Sequence, residues 1–297
     1  MNTPFSLSRV FLIAISKSLL AAIFLIVLYI ILIHKVVFFL GSPWHWATGL
    51  YTVFTGTFLL SRFLILWFYE DDHTGLIPDQ KYPNISIIIA CKNEEDAIAK
   101  TITKAMEAYY PGKRECIVID DGSSDQTLQR MIETQKLYPK LIQVISFSQN
   151  RGKREAMAVG VEASKFELIV FIDSDSFLKK DALRIIVQHF INDSRVGAVA
   201  GRSLVENDGK NSLTKMQSAR YSVSFDVFKA CESVFGAVTC CPGCFSVYRR
   251  EAVLQVLGRW RNQMFFGSRS TFGDDRSLTN FILRTKPALD KIKRRED

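Results

Sequence analysis

Two long apolar runs open the chain, and alternating short apolar strands and amphipathic helices follow. Val10 to Ile33 carries one charge, Lys17, and outlasts the ~20 residues that cross a hydrocarbon core of roughly 30 Å. Trp44 to Tyr69 carries only Arg62 and opens with Trp44 and Trp46, whose rings favour a membrane interface. His34 and Lys35 interrupt the apolar stretch between them, and Gly41-Ser42-Pro43 supplies a turn. The pattern predicts two transmembrane helices within residues 1–74. The first run is longer than the apolar stretch of a signal peptide (about 7–15 residues) and a second run follows it, so cleavage is not expected. Arg9 precedes the first run, Lys17 lies near its start and only Lys35 lies between the two, so the positive-inside rule weakly favours a cytosolic N-terminus, and two spans return the chain to the cytosol.

From residue 75 to 297 the period changes. Ile85-Ser86-Ile87-Ile88-Ile89-Ala90 is a nearly continuous β-branched run, as in a strand buried on both faces. A helix is expected from Asn93-Glu94-Glu95 to Tyr110-Pro111-Gly112. Cys116 to Ile119 forms the next strand, Asp120-Asp121-Gly122 its turn, and Ser124 or Asp125 caps a helix running to Leu137. Strands at 142–145, 168–172 and 196–200 then alternate with helices at 154–164 and 181–192, and a long helix is expected over 212–234. Such alternation means βαβ units. The predicted class is α/β, with a mixed, mostly parallel sheet flanked by helices and preceded by the two spans. In such sheets ligands bind at the carboxyl ends of the strands, where the turns after Ile119 and Ile172 stand.

The composition adds a net charge of +8 and six cysteines. The basic residues cluster at Arg151-Gly152-Lys153-Arg154 and Lys291 to Arg295. A polyanionic nucleotide substrate and an anionic membrane surface account for this balance. No basic helix or aromatic-basic motif points to nucleic acid, and none is expected as a partner. Cys91 and Cys116 fall in strand patterns, and nothing in the spacing demands disulfides, which fits a reducing compartment. Cys241-Pro242-Gly243-Cys244 has redox spacing, but no second such pair or nearby histidine completes a zinc set. It reads as a tight turn lining a cleft.

Paired carboxylates carry the chemistry. Asp173 and Asp175, at a strand end, suit a hard divalent cation that also takes phosphate oxygens. The alternative is a solvated turn. Asp120 and Asp121 suit hydrogen bonds to a ribose or base, though Asp-Gly is also an ordinary turn. The basic loop 151–154 supplies cations for phosphates or, more plainly, a charged helix start. Asp275, in Gly273-Asp274-Asp275-Arg276, is either a helix cap or a general base for a sugar hydroxyl, with Arg276 beside it to hold the carboxylate ionised.

Taken in order, Asn93-Glu94, Asp120-Asp121-Gly122, Arg151 to Arg154, Asp173-Ser174-Asp175, the segment Cys241 to Arg250, and Gly273 to Asn280 resemble the processive membrane β-glycosyltransferases of glycosyltransferase family 2. Within it they look most like bacterial hyaluronan synthases, with chitin-oligosaccharide synthases next. The resemblance covers residues 84–284. It implies a GT-A fold facing the cytosol at the plasma membrane, in a multi-pass protein, and UDP-sugar donors. It implies Asn93, Glu94, Asp120, Asp121, Lys153 and Asp173 at the donor, and Mg²⁺ or Mn²⁺ held by Asp173 and Asp175. It implies Asp275 as base with Asp274 and Arg276 beside it, and Cys241, Pro242, Gly243 and Cys244 near the acceptor, a growing β-linked polysaccharide. UDP-GlcNAc with UDP-glucuronate is the expected donor pair. UDP-GlcNAc alone, for a chitin-like chain, is the alternative, and an inactive nucleotide-sugar-binding membrane subunit is a third reading. The family pattern continues to a QxxRW motif and further spans that this sequence lacks, so a further segment or a partner is expected to complete the enzyme.

Overall fold

The computed structural model describes residues 45–69, 77–270, 272–285 and 291–294, with isolated residues at 18, 22, 25, 26, 28–30 and 33. The chain packs as two compact units, Met1–Ser61 and Arg62–Asp297.

The first expected span, Val10 to Ile33, lies largely outside the described residues. The second is replaced by helix α1, His45–Leu66. Among the described residues no helix is long and apolar enough to cross a membrane.

The second unit is built on a seven-stranded sheet in the order β3-β2-β1-β4-β6-β5-β9. Its central strands β1 (Ile85–Cys91), β2 (Arg114–Asp120), β3 (Ile142–Ser146) and β4 (Leu168–Phe171) run parallel. Between them run α2 (Ile98–Glu107), α3 (Thr127–Leu137) and α4 (Lys153–Ala163). Beyond β4 come α5 (Ala182–Asn192) and β5 (Val196–Ala200). The β-branched run of β1 makes a strand because both faces bury apolar side chains. Ile85, Ile87, Ile89 and Cys91 enter one core with α2 and α5, while Ile88 and Ala90 enter a second core with α4. Each isoleucine so buried contributes on the order of 1.5–3 kcal/mol relative to exposure.

The expected α/β sheet is therefore present, and four strands, β6 to β9, were not foreseen. β6 (Ser246–Arg249) lies antiparallel between β4 and β5. It continues the cysteine turn, so that turn is held against the end of β4. The edge strand β9 (Lys291–Arg294) pairs parallel with β5, and β7 (Met264–Phe265) with β8 (Ser268–Arg269) forms a separate hairpin.

Two helices depart from expectation. α2 starts at Ile98 rather than Asn93, because Asn93 sits at φ 54 and its backbone N–H is taken by the Ser123 hydroxyl at 2.9 Å. The long helix is interrupted: α6 (Ser212–Ser222) passes into a π-helical stretch, Val223–Lys229, before α7 (Ala230–Val234). Insertions of this kind are often found at functional sites. Here Asp226 in the π segment accepts a 2.8 Å ion pair from Arg202, on the loop after β5. The last elements that bear on the site are α8 (Arg250–Arg261) and α9 (Asp274–Leu283).

Candidate active site

Because β1, β2 and β4 are parallel, their carboxyl ends share one edge of the sheet. Cys91 stands opposite Asp120, and Ile88 opposite Phe171. A cavity of about 300 Å³ opens there, lined by Ala90, Cys91, Lys92, Glu94, Asp121, Lys153 and Asp173 to Asp175. It shares Asp173 and Asp175 with a larger groove of about 830 Å³ that passes Phe177, Arg202, Ser203, Tyr221 and Cys244. These are volumes of the size that holds small ligands.

The turn after β2 forms the floor. Asp120 is buried, and its oxygens accept from the Ser123 N–H at 3.1 Å and the Ser146 hydroxyl at 3.0 Å. It fixes the turn and is not part of the cavity lining. Asp121 does line the cavity, but its carboxylate accepts the backbone N–H groups of Arg151 at 2.6 Å and Gly152 at 2.9 Å. Gly122 allows this approach: at φ 68, a side chain there would meet the backbone of Gln149 and Asn150 at 2.6–2.9 Å. Asn93 braces the same turn, accepting the Ser124 N–H at 2.9 Å. Of the donor residues expected beside the first two turns, Glu94 and Asp121 therefore face the cavity, while Asn93 and Asp120 hold its frame.

The turn after β4 carries Asp173 and Asp175, the latter exposed. Lys153 donates to Asp173 Oδ1 at 2.5 Å. Burial works against the charge on this lysine, but Asp173, Asp275 and Asp274 outweigh it and raise its pKa overall. Burial first, then the negative charges of Asp175, Asp125 and Asp173, pushes the Glu94 carboxyl up. The cavity thus gathers carboxylates whose mutual repulsion a cation would relieve. Among the described residues no three histidines, cysteines or acidic residues form a ready-made metal cage. Two carboxylates open to the cavity fit a cation whose other ligands are phosphate oxygens and water.

The cysteine turn brings the third acidic motif in. The Gly243 N–H donates to Asp275 Oδ2 at 2.9 Å. A β-carbon built on Gly243 would lie 2.9 Å from both Asp173 Oδ1 and Asp275 Oδ1, so those two oxygens stand no further apart than twice that distance. Thr279 ties the parts together. Its hydroxyl receives the Cys241 N–H at 3.0 Å and reaches the Asp275 carbonyl at 2.7 Å. Burial pushes the Asp275 carboxyl up; Lys153 and the Gly243 N–H draw it back, while Asp173 and Asp274 add to the rise. A carboxylate with a raised pKa, placed in a cleft, is what a general base requires.

Two expected roles change. Arg276 is exposed, and the cation acting on Asp275 is Lys153. Asp274 is buried, and its Oδ1 accepts from Arg154 Nε at 2.7 Å. Arg154 is therefore no phosphate ligand; it is buried in a structural pair. All six thiols are free, and Cys244 Sγ lies 2.8 Å from the Ser203 hydroxyl.

Residues 86–257 match the profile described as Glycosyl transferase family 2. The chain is 32% identical to an N-acetylglucosaminyltransferase of Neorhizobium galegae, over 73% of this chain and 51% of that protein. It is 30% identical to a hyaluronan synthase of Streptococcus pyogenes, over 91% of this chain and 63% of that one. The chain thus spans half to two thirds of the length of these relatives. Among solved structures it is similar to a mannosyltransferase from Pyrobaculum calidifontis in complex with GDP-Man and Mn²⁺. That likeness has a TM-score of 0.65 at 20% identity and covers 84% of this chain and 66% of the other. It extends to the fold, which is GT-A-like as the resemblance implied. The profile covers more than half of the sequence and includes the turns that carry Asp121, Asp173 and Gly243: the chain belongs to glycosyltransferase family 2.

Proposed function

We propose that this chain transfers sugar from UDP-sugar donors to a growing β-linked polysaccharide with inversion, in the manner of a hyaluronan synthase. The observation that carries the reading is the convergence of Asp173 and Asp275 on Gly243 at the end of β4, with Lys153 paired to Asp173. A diphosphate-binding carboxylate and a base must lie on either side of one anomeric carbon, and few other chemistries need both so close.

The cavity under β1 and β2 receives the nucleotide, with Asp121 and Glu94 in its wall. Asp173 and Asp175 would hold Mg²⁺ or Mn²⁺, which when bound neutralises charge on a departing diphosphate. Lys153, kept protonated by its acidic neighbours, stands beside the same phosphates. The acceptor hydroxyl lies by the cysteine turn and gives its proton to Asp275. Its oxygen bonds to the anomeric carbon from the side opposite the phosphate, the bond from that carbon to the phosphate oxygen breaks, and UDP departs. One displacement inverts the anomeric centre.

The N-terminal part is proposed to attach the enzyme to a lipid bilayer, with the catalytic unit on the cytosolic side where UDP-sugars are made. The motivating feature is α1 and the residues after it, which expose Tyr51, Phe54, Phe63, Trp67 and Phe68. A second reading, a UDP-GlcNAc-only enzyme making a chitin-like chain, is favoured by the similarity to the N-acetylglucosaminyltransferase.

One assay addresses these points. UDP release is measured on membranes carrying the full chain, washed with alkaline carbonate, first with UDP-GlcNAc and then with UDP-glucuronate added. Sustained release that needs both donors supports the hyaluronan type, and release with UDP-GlcNAc alone supports the chitin type. Excess EDTA is expected to abolish either, and full activity in EDTA would remove the metal from the proposal. Loss of the chain from the washed pellet would refute bilayer attachment. No release with either donor would favour the inactive-subunit reading.

A further inference from the structure

The four residues Arg151 to Arg154 touch all three acidic turns. The N–H groups of Arg151 and Gly152 hold both oxygens of Asp121. Lys153 holds Asp173. Arg154 holds Asp274. The first two contacts belong to the donor cavity; the third reaches away from it into the core. Arg154 is only 6% exposed, and its guanidinium faces the Trp260 ring at 5.7 Å and reaches the Trp260 carbonyl, the Ser270 hydroxyl and the Phe272 carbonyl at 3.4–3.5 Å. Trp260, fully buried, donates its indole N–H to the Asp274 carbonyl at 3.1 Å and the Ser277 hydroxyl at 3.0 Å. The first residue of α9 is thus fixed through both its side chain and its backbone. The second residue of that helix is Asp275.

From this we infer that Arg154 is a positioning residue for Asp275. Its ion pair with Asp274 ties the start of α9, and the base it carries, to the same short loop that holds the nucleotide turn and the metal turn. The inference rests on the glycosyl-transfer reading of the site. Its physical basis is that a buried pair has a definite geometry that a flexible surface contact lacks. Asp274 touches nothing in the cavity lining, so its carboxylate has no direct part in binding donor. A lysine at 154 would keep the charge but lose the planar fork that reaches Asp274, Ser270 and Phe272 together.

The test is steady-state kinetics of the full chain in membranes, with Arg154→Lys, Asp274→Asn and the double variant, alongside thermal unfolding and UDP binding. Misplacing a base by a fraction of an ångström up to 1 Å is expected to lower kcat about 10- to 100-fold. The KM for UDP-sugar and the affinity for UDP should stay within about twofold, since the Asp121 and Asp173 contacts persist. The double variant should lose little more than either single one, because both break the same link. Three results would overturn the inference: unchanged kcat in folded Arg154→Lys; a rise in KM at constant kcat; or a loss of activity that only tracks a loss of folded protein. If the unmodified chain turns over no donor, the glycosyl-transfer reading fails first, and UDP binding unchanged by these variants cannot rescue it.

Discussion

Asp275→Asn is expected to reduce polymer synthesis by about 10²–10⁴-fold, the range that a positioned general base contributes. The asparagine keeps the shape of the side chain and an oxygen for the Gly243 N–H, so the turn at 241–244 should stay where it is. The amide cannot take a proton from the acceptor hydroxyl. Donor binding should survive, because the residues that line the nucleotide cavity are separate from Asp275. The sharp form of the prediction is a split: UDP affinity close to that of the unmodified protein, unfolding midpoint little changed, and turnover nearly gone. Turnover retained at more than a tenth of the original would rule out Asp275 as base.

Much of this arrangement is legible in the sequence, for identifiable reasons. Strands β1, β4 and β5 announce themselves as short apolar runs because each is buried on two faces, and such a strand has little room for polar residues. The acidic turns stand out because carboxylates are rarely placed at the ends of such strands without cause. Asp173 and Asp275, about 100 residues apart in sequence, meet at Gly243 of the cysteine turn.

What was not legible depends on pairs of residues far apart. Arg154 read as a phosphate cation because its neighbour Lys153 faces the cavity, yet a single step along α4 turns Arg154 toward Asp274, 120 residues away. No local pattern encodes that contact. The same holds for Asp120: its burial follows from Ser146 on the neighbouring strand, and nothing beside it in sequence distinguishes it from Asp121. β6 was hidden because it has only four residues, and Ser246 and Arg249 at its ends leave just Val247 and Tyr248 as an apolar run.

Gly243→Ala tests whether the carboxylates really meet at this turn. Gly243 does not occupy the positive-φ region, so alanine costs little in backbone conformation and the conflict is local. The three atoms that an added methyl would meet are all carboxylate oxygens, at 2.9, 2.9 and 3.0 Å, one from Asp173 and two from Asp275. Both side chains are short, and each is anchored: Asp173 by Lys153 and Asp275 by the Gly243 N–H itself. They cannot yield by sliding along a flexible chain, so the methyl must push the base and the diphosphate-side carboxylate apart. A displacement approaching 1 Å is expected to lower kcat by about 10²-fold. The unfolding midpoint should move little, because no apolar packing is lost. A serine at 243, bulkier and polar, should be at least as damaging. If folded Gly243→Ala turned over at the rate of the unmodified enzyme, Asp173 and Asp275 could not both be engaged at this point during reaction, and the convergence on which the proposed mechanism depends would have to be abandoned.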